Sequence, residues 1–238
     1  MKVGLKPGFA NFTDGLPPGL NLPTARGAVG LLDVRDVWLK PKSKKLFGQS
    51  MIPKRFADKN FEAYEATEKG QYQALKSCMD FAQELKADWF SGKTLLLIGT
   101  PGTGKTHLAC AVGHEAIKQG RTVLYTTVTR LLEDIKSSWN DKERSVKNII
   151  ARYVSVDLLI MDEIGAFRGI SEREKDYLFE VINARYEQMK PMIAVSNLRL
   201  SGADSIEAYL EERSFDRLCE QARLVVFGWE SFRRKSLC

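Results

Sequence analysis

Gly99-Thr100-Pro101-Gly102-Thr103-Gly104-Lys105-Thr106 is the stretch whose reading decides the fold. Its spacing, G-x-x-x-x-G-K-[ST], is that of a phosphate cradle. Gly99, Gly102 and Gly104 let the backbone turn so that successive N–H groups point at phosphate oxygens, and the helix that follows adds its dipole. Lys105 then reaches the β and γ phosphates, and the Thr106 hydroxyl is a magnesium ligand. The context agrees, because TLLLIG (Thr94 to Gly99) reads as a strand and Thr106 to Gln119 as a helix closed by Gly120. His107 continues the cradle into that helix.

Working outward, strands and helices alternate. TVLYTT (Thr122 to Thr127), DLLIMD (Asp157 to Asp162), MIAVSN (Met192 to Asn197) and LVVFG (Leu224 to Gly228) are short apolar runs rich in β-branched or aromatic residues. Near-continuous apolarity marks strands buried on both faces. Helical patterns separate them at Val128 to Trp139, Glu143 to Tyr153, Ser171 to Met189 and Ser205 to Gln221. An amphipathic helix carrying Leu75, Cys78, Met79, Ala82 and Leu85 precedes the first strand, running from Lys69 to about Ser91-Gly92. The expectation is an α/β fold with a five-stranded parallel sheet flanked by helices.

Asp162 and Glu163 close the third strand, at the edge of the sheet where open α/β folds bind ligands. Beside a phosphate cradle, Asp162 is expected in the magnesium shell and Glu163 against the attacking water. Asn197 ends the neighbouring strand, placed to position that water or sense the γ-phosphate, though an Asn there also suits a turn. The implied cofactors are ATP and Mg2+.

Composition excludes other classes. Of 238 residues, 44% are hydrophobic and 28% charged, as in ordinary globular domains. No apolar run approaches a membrane span, and the first residues lack an export signal's apolar stretch, so a cytoplasmic location is expected. Cys78, Cys110, Cys219 and Cys238 are scattered without zinc or redox spacing. His107 and His114 share one predicted helix and are read as packing residues, since two ligands do not make a metal site.

Charge is uneven. Residues 1 to 60 hold eleven Lys or Arg against four Asp, a net of +7 within a whole-chain net of +6, so the rest is nearly neutral. The first 55 residues also carry six of the eight prolines and no clear periodicity. They are expected to form an extended basic arm (1–55) before the packed domain (56–238), with Trp38, Lys40, Lys42, Lys44 and Lys45 facing an acidic or nucleic-acid partner.

GTPGTGKTHLA, LLIMDEIG, NFEAYEATEKGQ, VLYTTVTRLLEDIKSSW, LEERSFDRL and the closing GWESFRRK together resemble the AAA+ ATPases of the DnaC helicase-loader branch, with the transposition helper IstB as a close relative. The resemblance spans about residues 53 to 235. It implies an ATPase that delivers a DnaB-type ring helicase, contacts single-stranded DNA, and self-assembles through ATP sites shared between subunits. It makes Arg217, with Arg213 as runner-up, an arginine finger acting on a neighbour's ATP, and Arg233 a γ-phosphate sensor in cis. Phe61 and Tyr64 match the segment that walls the adenine. The Val128 to Tyr153 segment interleaves Lys136, Trp139, Lys142 and Arg144, a mixture suited to single strands. The short basic arm departs from the branch, whose members usually begin with a helical domain.

Overall fold

A computed structural model describes residues 41–140, 145–167 and 169–235 of the chain. Five strands form one parallel sheet: β1 (Thr94–Gly99), β2 (Val123–Thr127), β3 (Leu158–Ile164), β4 (Met192–Ser196) and β5 (Ala222–Phe227), in the order β2-β3-β4-β1-β5. This is the expected α/β architecture. Around the sheet run α1 (Pro41–Gln49), α2 (Lys69–Ala87), α3 (Lys105–Lys118), α4 (Val128–Ser137), α5 (Val146–Ser155), α6 (Glu172–Glu187), α7 (Ile206–Leu210), α8 (Glu212–Cys219) and the short α9 (Phe232–Lys235).

Side chains alternate across each strand, so the near-continuous apolar runs supply two cores at once. Leu95, Leu97, Tyr125, Ile160, Ile193, Val195 and Phe227 join Phe81 and Leu85 of α2 and Leu108 and Ile117 of α3 on one face. Leu96, Ile98, Leu159, Met161 and Ala194 join Leu131 and Ile135 of α4, Val181 of α6 and Leu218 of α8 on the other. Each fully buried Leu, Ile or Phe contributes about 1.5–3 kcal/mol to burial. The chain leaves central β1, crosses to β2 at one edge, and returns through β3 and β4 to β1's side. The C-terminal ends of β1, β3 and β4 therefore converge, and the phosphate cradle opens from that edge.

Local signals set the helix starts. Ser171 and Glu174 form a reciprocal capping box at α6, with Ser171 N–H donating to Glu174 Oε2 at 2.7 Å. Thr127, Ser145 and Ser205 cap α4, α5 and α7 by accepting from backbone N–H groups two to three residues into each helix. The expected single helix from Ser205 to Gln221 is two, because Glu211 adopts φ +64° between α7 and α8. The expected Glu143 helix starts later, at Val146, where Ser145 supplies the cap.

The expected extended arm is corrected where it is described. Residues 41–49 are helical, opening with Pro41 at a first-turn position that tolerates its missing N–H. Leu46 and Phe47 pack against the core, Phe47 stacking on His114 at 5.7 Å. Just beyond, the Ser50 carbonyl accepts from Tyr125 N–H at 2.7 Å. Residues 41–49 thus belong to the packed body, and the part of the expected arm at 1–40, with Trp38 and Lys40, lies outside the described residues.

Arg185 of α6 is fully buried and was not singled out by sequence. Its guanidinium donates to the carbonyls of Tyr153, Val154, Val156, Asp157 and Pro191 at 2.7 to 3.2 Å, closing the end of α5 and the approaches to β3 and β4. Burial pushes its pKa down to about 9, with Asp157 opposing. No described helix is long and apolar enough to cross a membrane.

Candidate functional site

The cradle between β1 and α3 has the expected backbone. Gly99, Gly102 and Gly104 all have positive φ (135°, 81° and 98°). A Cβ on Gly99 would lie 2.1 Å from the Phe227 carbonyl oxygen, and one on Gly102 would lie 2.0 Å from Ser231 Oγ. These positions therefore admit glycine alone for steric as well as conformational reasons. Thr100, Pro101 and Thr103 complete the loop, and Thr103 Oγ1 pins it by donating to the Thr100 carbonyl at 2.8 Å.

Lys105 folds back over the loop. Its ammonium donates to the carbonyls of Gly99 and Thr100, both at 2.7 Å. Burial pushes its pKa down to about 8, and Arg233 adds repulsion while Asp162 opposes. Phosphate oxygens offer that ammonium stronger partners than neutral carbonyls.

Thr106 Oγ1 donates to Asp162 Oδ2 at 2.8 Å, bringing the first turn of α3 against the end of β3. Two adjacent hard oxygen donors in a cleft suit Mg2+, which is held by few protein oxygens plus phosphates. Glu163 follows, exposed and at φ +58°, a left-handed conformation uncommon for a side chain of this size. A register shift between Met161 and Ile164 accompanies it, and the turn aims Glu163 out of the sheet beside Asp162. The next strand braces this turn. Ser196 Oγ donates to the Ile164 carbonyl at 2.7 Å and accepts from Leu198 N–H at 3.0 Å. Asn197, between Ser196 and Leu198, is exposed and reaches the same cleft.

The cleft has a volume of about 670 Å³. Pro101 to His107, Asp162, Glu163 and Asn197 line one side, and Phe56, Tyr64, Thr67 and Gln71 another. Tyr64 packs edge-on against His107 at 5.2 Å, while His107 Nε2 donates to the Asn60 carbonyl at 2.8 Å. His107 is thus a wall residue, and His114 is the packing histidine. Phe61 does not reach the cleft. It is buried in the core, with Phe56 and Tyr64 forming the aromatic wall.

The closing segment lies across the cradle. Trp229 Nε1 donates to the Thr103 carbonyl at 2.9 Å, Phe232 N–H donates to the Gly102 carbonyl at 2.9 Å, and Thr100 Oγ1 donates to the Trp229 carbonyl at 3.3 Å. Arg233 lines the cleft as a consequence. Arg217 does not. It sits on α8, its Nε donating to Asn183 Oδ1 on α6 and its guanidinium 5.0 Å from the Phe179 ring centre. Arg213 stands beside it, paired with Asp176.

Of the expected DNA-contacting residues, Lys136 is ion-paired with Glu174 at 2.7 Å. That contact, then the cap bond from Ser171, holds the Glu174 carboxyl down at about 2. Trp139 is half exposed, with the Arg173 guanidinium 4.9 Å from its ring centre. Lys142 and Arg144 lie outside the described residues.

Comparison with known proteins gives the site a setting. The model of the family described as IstB-like ATP binding protein matches residues 45–237. The chain is 32% identical over 195 residues to the uncharacterized protein YdaV of Escherichia coli K12, covering 80% of this chain and 74% of YdaV. It is 30% identical over 195 residues to the replicative helicase loader DnaC of Buchnera aphidicola subsp. Schizaphis graminum, covering 81% and 76%. Among solved structures, the DnaC helicase loader superposes with a TM-score of 0.65 at 25% identity, over 74% of this chain and 99% of that one. The replication initiator DnaA bound to AMPPCP and single-stranded DNA shares the fold, with a TM-score of 0.61 at 24% identity over 73% of this chain and 51% of DnaA.

Proposed function

The chain belongs to the IstB-like ATP binding proteins, in the AAA+ branch that includes the DnaC helicase loaders, and from that premise we propose that it hydrolyses ATP to load a DnaB-type ring helicase onto single-stranded DNA. The observation that carries the ATPase part is the Thr106 to Asp162 hydrogen bond, which sets two magnesium-type ligands beside Lys105 and Glu163 in one cleft.

In this reading the glycine backbone of residues 99–104 cradles the phosphates and Lys105 exchanges its carbonyl partners for β and γ oxygens. Thr106 and Asp162 would hold Mg2+, which when bound neutralises charge on those oxygens. Glu163 orients the attacking water or takes its proton, and Asn197 holds that water from just beyond the end of β4. Arg233 reads the γ-phosphate in cis. Arg217, standing outside its own cleft, serves a neighbouring subunit's ATP, so the active unit is an oligomer. Phe56 and Tyr64 wall the base.

Trp139 is proposed to stack on a base of single-stranded DNA, its exposure leaving a ring face available. Residues 1–40 are proposed as the helicase contact, since that position precedes the ATPase body; they carry five Lys or Arg against three Asp. The test is gel filtration with the host's replicative helicase. Co-elution with the whole chain, and its loss when residues 1–40 are removed while ATP binding persists, is the expected result.

The family match also favours a second reading, a transposase-helper ATPase acting on DNA. A complex with a transposase and none with the helicase would replace the loader by the helper.

A further inference from the structure

Tyr125 lies in neither the phosphate cradle nor the carboxylate pair. Its ring is buried in the core between the sheet and α3, yet its hydroxyl crosses from β2 to β3 and donates to Asp162 Oδ2 at 2.8 Å. A phenol is protonated at neutral pH and so donates this bond. The same Oδ2 accepts from Thr106 Oγ1 at 2.8 Å, and Oδ1 accepts from Glu163 N–H at 2.7 Å. Both oxygens of the carboxylate are thereby held.

These bonds differ in what a cation would do to them. Thr106 would itself be a ligand, so its contact with Asp162 must readjust when the metal arrives. Tyr125 lies outside the cleft lining and can keep its bond throughout. The cleft also contains a competitor, since the positive Lys105 attracts Asp162. A carboxylate that turned toward Lys105 would leave the metal position and occupy the phosphate-binding ammonium. The Tyr125 hydroxyl restrains that turn from the far side of the strand.

We infer that Tyr125 is a positioning residue that aims the Asp162 carboxylate at the Mg2+ site, setting how strongly the cation couples to nucleotide without touching either. This rests on the cleft being an ATP–Mg2+ site and names a determinant of it.

Tyr125→Phe keeps the ring and removes only the hydroxyl. The affinity of a fluorescent ATP analogue is measured for wild type and variant, first in EDTA and then across a Mg2+ titration, with melting temperatures alongside. Groups that hold a metal's ligands in place typically alter metal affinity by about 10- to 100-fold when removed. The expected result is an unchanged affinity in EDTA and a Mg2+ midpoint raised about tenfold or more, with kcat at saturating Mg2+ much less affected. An unchanged Mg2+ midpoint, or an equal loss of affinity with and without Mg2+, overturns the inference and leaves Tyr125 as packing. Failure of the underlying reading is separate, because then wild type itself would bind no ATP analogue, or bind it with no response to Mg2+.

Discussion

The Lys105 ammonium and the Asp162 carboxylate occupy one cleft without pairing: the first is bound to the carbonyls of Gly99 and Thr100, the second to the hydroxyls of Thr106 and Tyr125. Each charge is thus kept for a ligand rather than spent on the other, and the arrangement costs the empty protein stability. Lys105 falls from 10.5 to about 8 on folding. A lysine lowered in this way destabilises the fold at every pH below about 8, and the penalty fades as pH rises toward 10.5.

Lys105→Met should therefore raise the melting temperature of the nucleotide-free protein at pH 7, by the equivalent of about 1–3 kcal/mol. The gain should shrink as pH increases from 8 to 10. Thermal melts across that range check it, and a variant less stable than wild type at pH 7 would contradict it.

Much of this arrangement was legible in the sequence. The five apolar runs match the five strands closely, because burial on both faces forces an unbroken apolar pattern. Lys105, Thr106, Asp162, Glu163, Asn197 and Arg233 converge on one cleft as their motifs imply. What escaped was non-local. α1 packs its hydrophobic residues Leu46 and Phe47 on the core and carries a lysine-rich sequence with no periodicity, so its packing could not be read from PKSKKLFGQ. Phe61 and Phe56 are aromatic residues in one short segment, and which of them walls the cleft depends on how that segment docks on α3. Tyr125, through one bond to Asp162, and Arg185, through five bonds to carbonyls distant in sequence, act by long-range contacts that leave no spacing signal.

Arg185→Met should be among the most damaging substitutions outside the cleft. It keeps volume but leaves five buried or half-buried carbonyls without their donor. A loss of about 3–5 kcal/mol is expected in urea unfolding. A loss under about 1 kcal/mol would mean that water replaces the guanidinium.

Arg217→Ala should preserve ATP affinity and remove turnover, because Arg217 stands outside its own cleft. Arginine fingers contribute on the order of 10³- to 10⁵-fold in rate. Mixing Arg217→Ala with Lys105→Ala protein should restore part of the activity through mixed interfaces. Turnover per chain that does not vary with protein concentration would rule out action in trans.

Trp139→Ala should weaken single-stranded DNA binding by about 1–3 kcal/mol, the value of one stacked base. Its half-exposed ring predicts little change in stability. Fluorescence titration with an oligonucleotide reads both the affinity and the ring itself, and an unaltered affinity would assign Trp139 to its contact with Arg173 alone.

One cleft is proposed to divide the work between ground-state binding by Lys105 and water activation by Glu163. Measuring ATP affinity and steady-state hydrolysis side by side in Lys105→Ala and Glu163→Gln tests it most directly. Lys105→Ala should lose nucleotide binding, whereas Glu163→Gln should bind ATP as wild type does and fail to hydrolyse it. Equal loss of binding in both variants, or normal hydrolysis by Glu163→Gln, would contradict it.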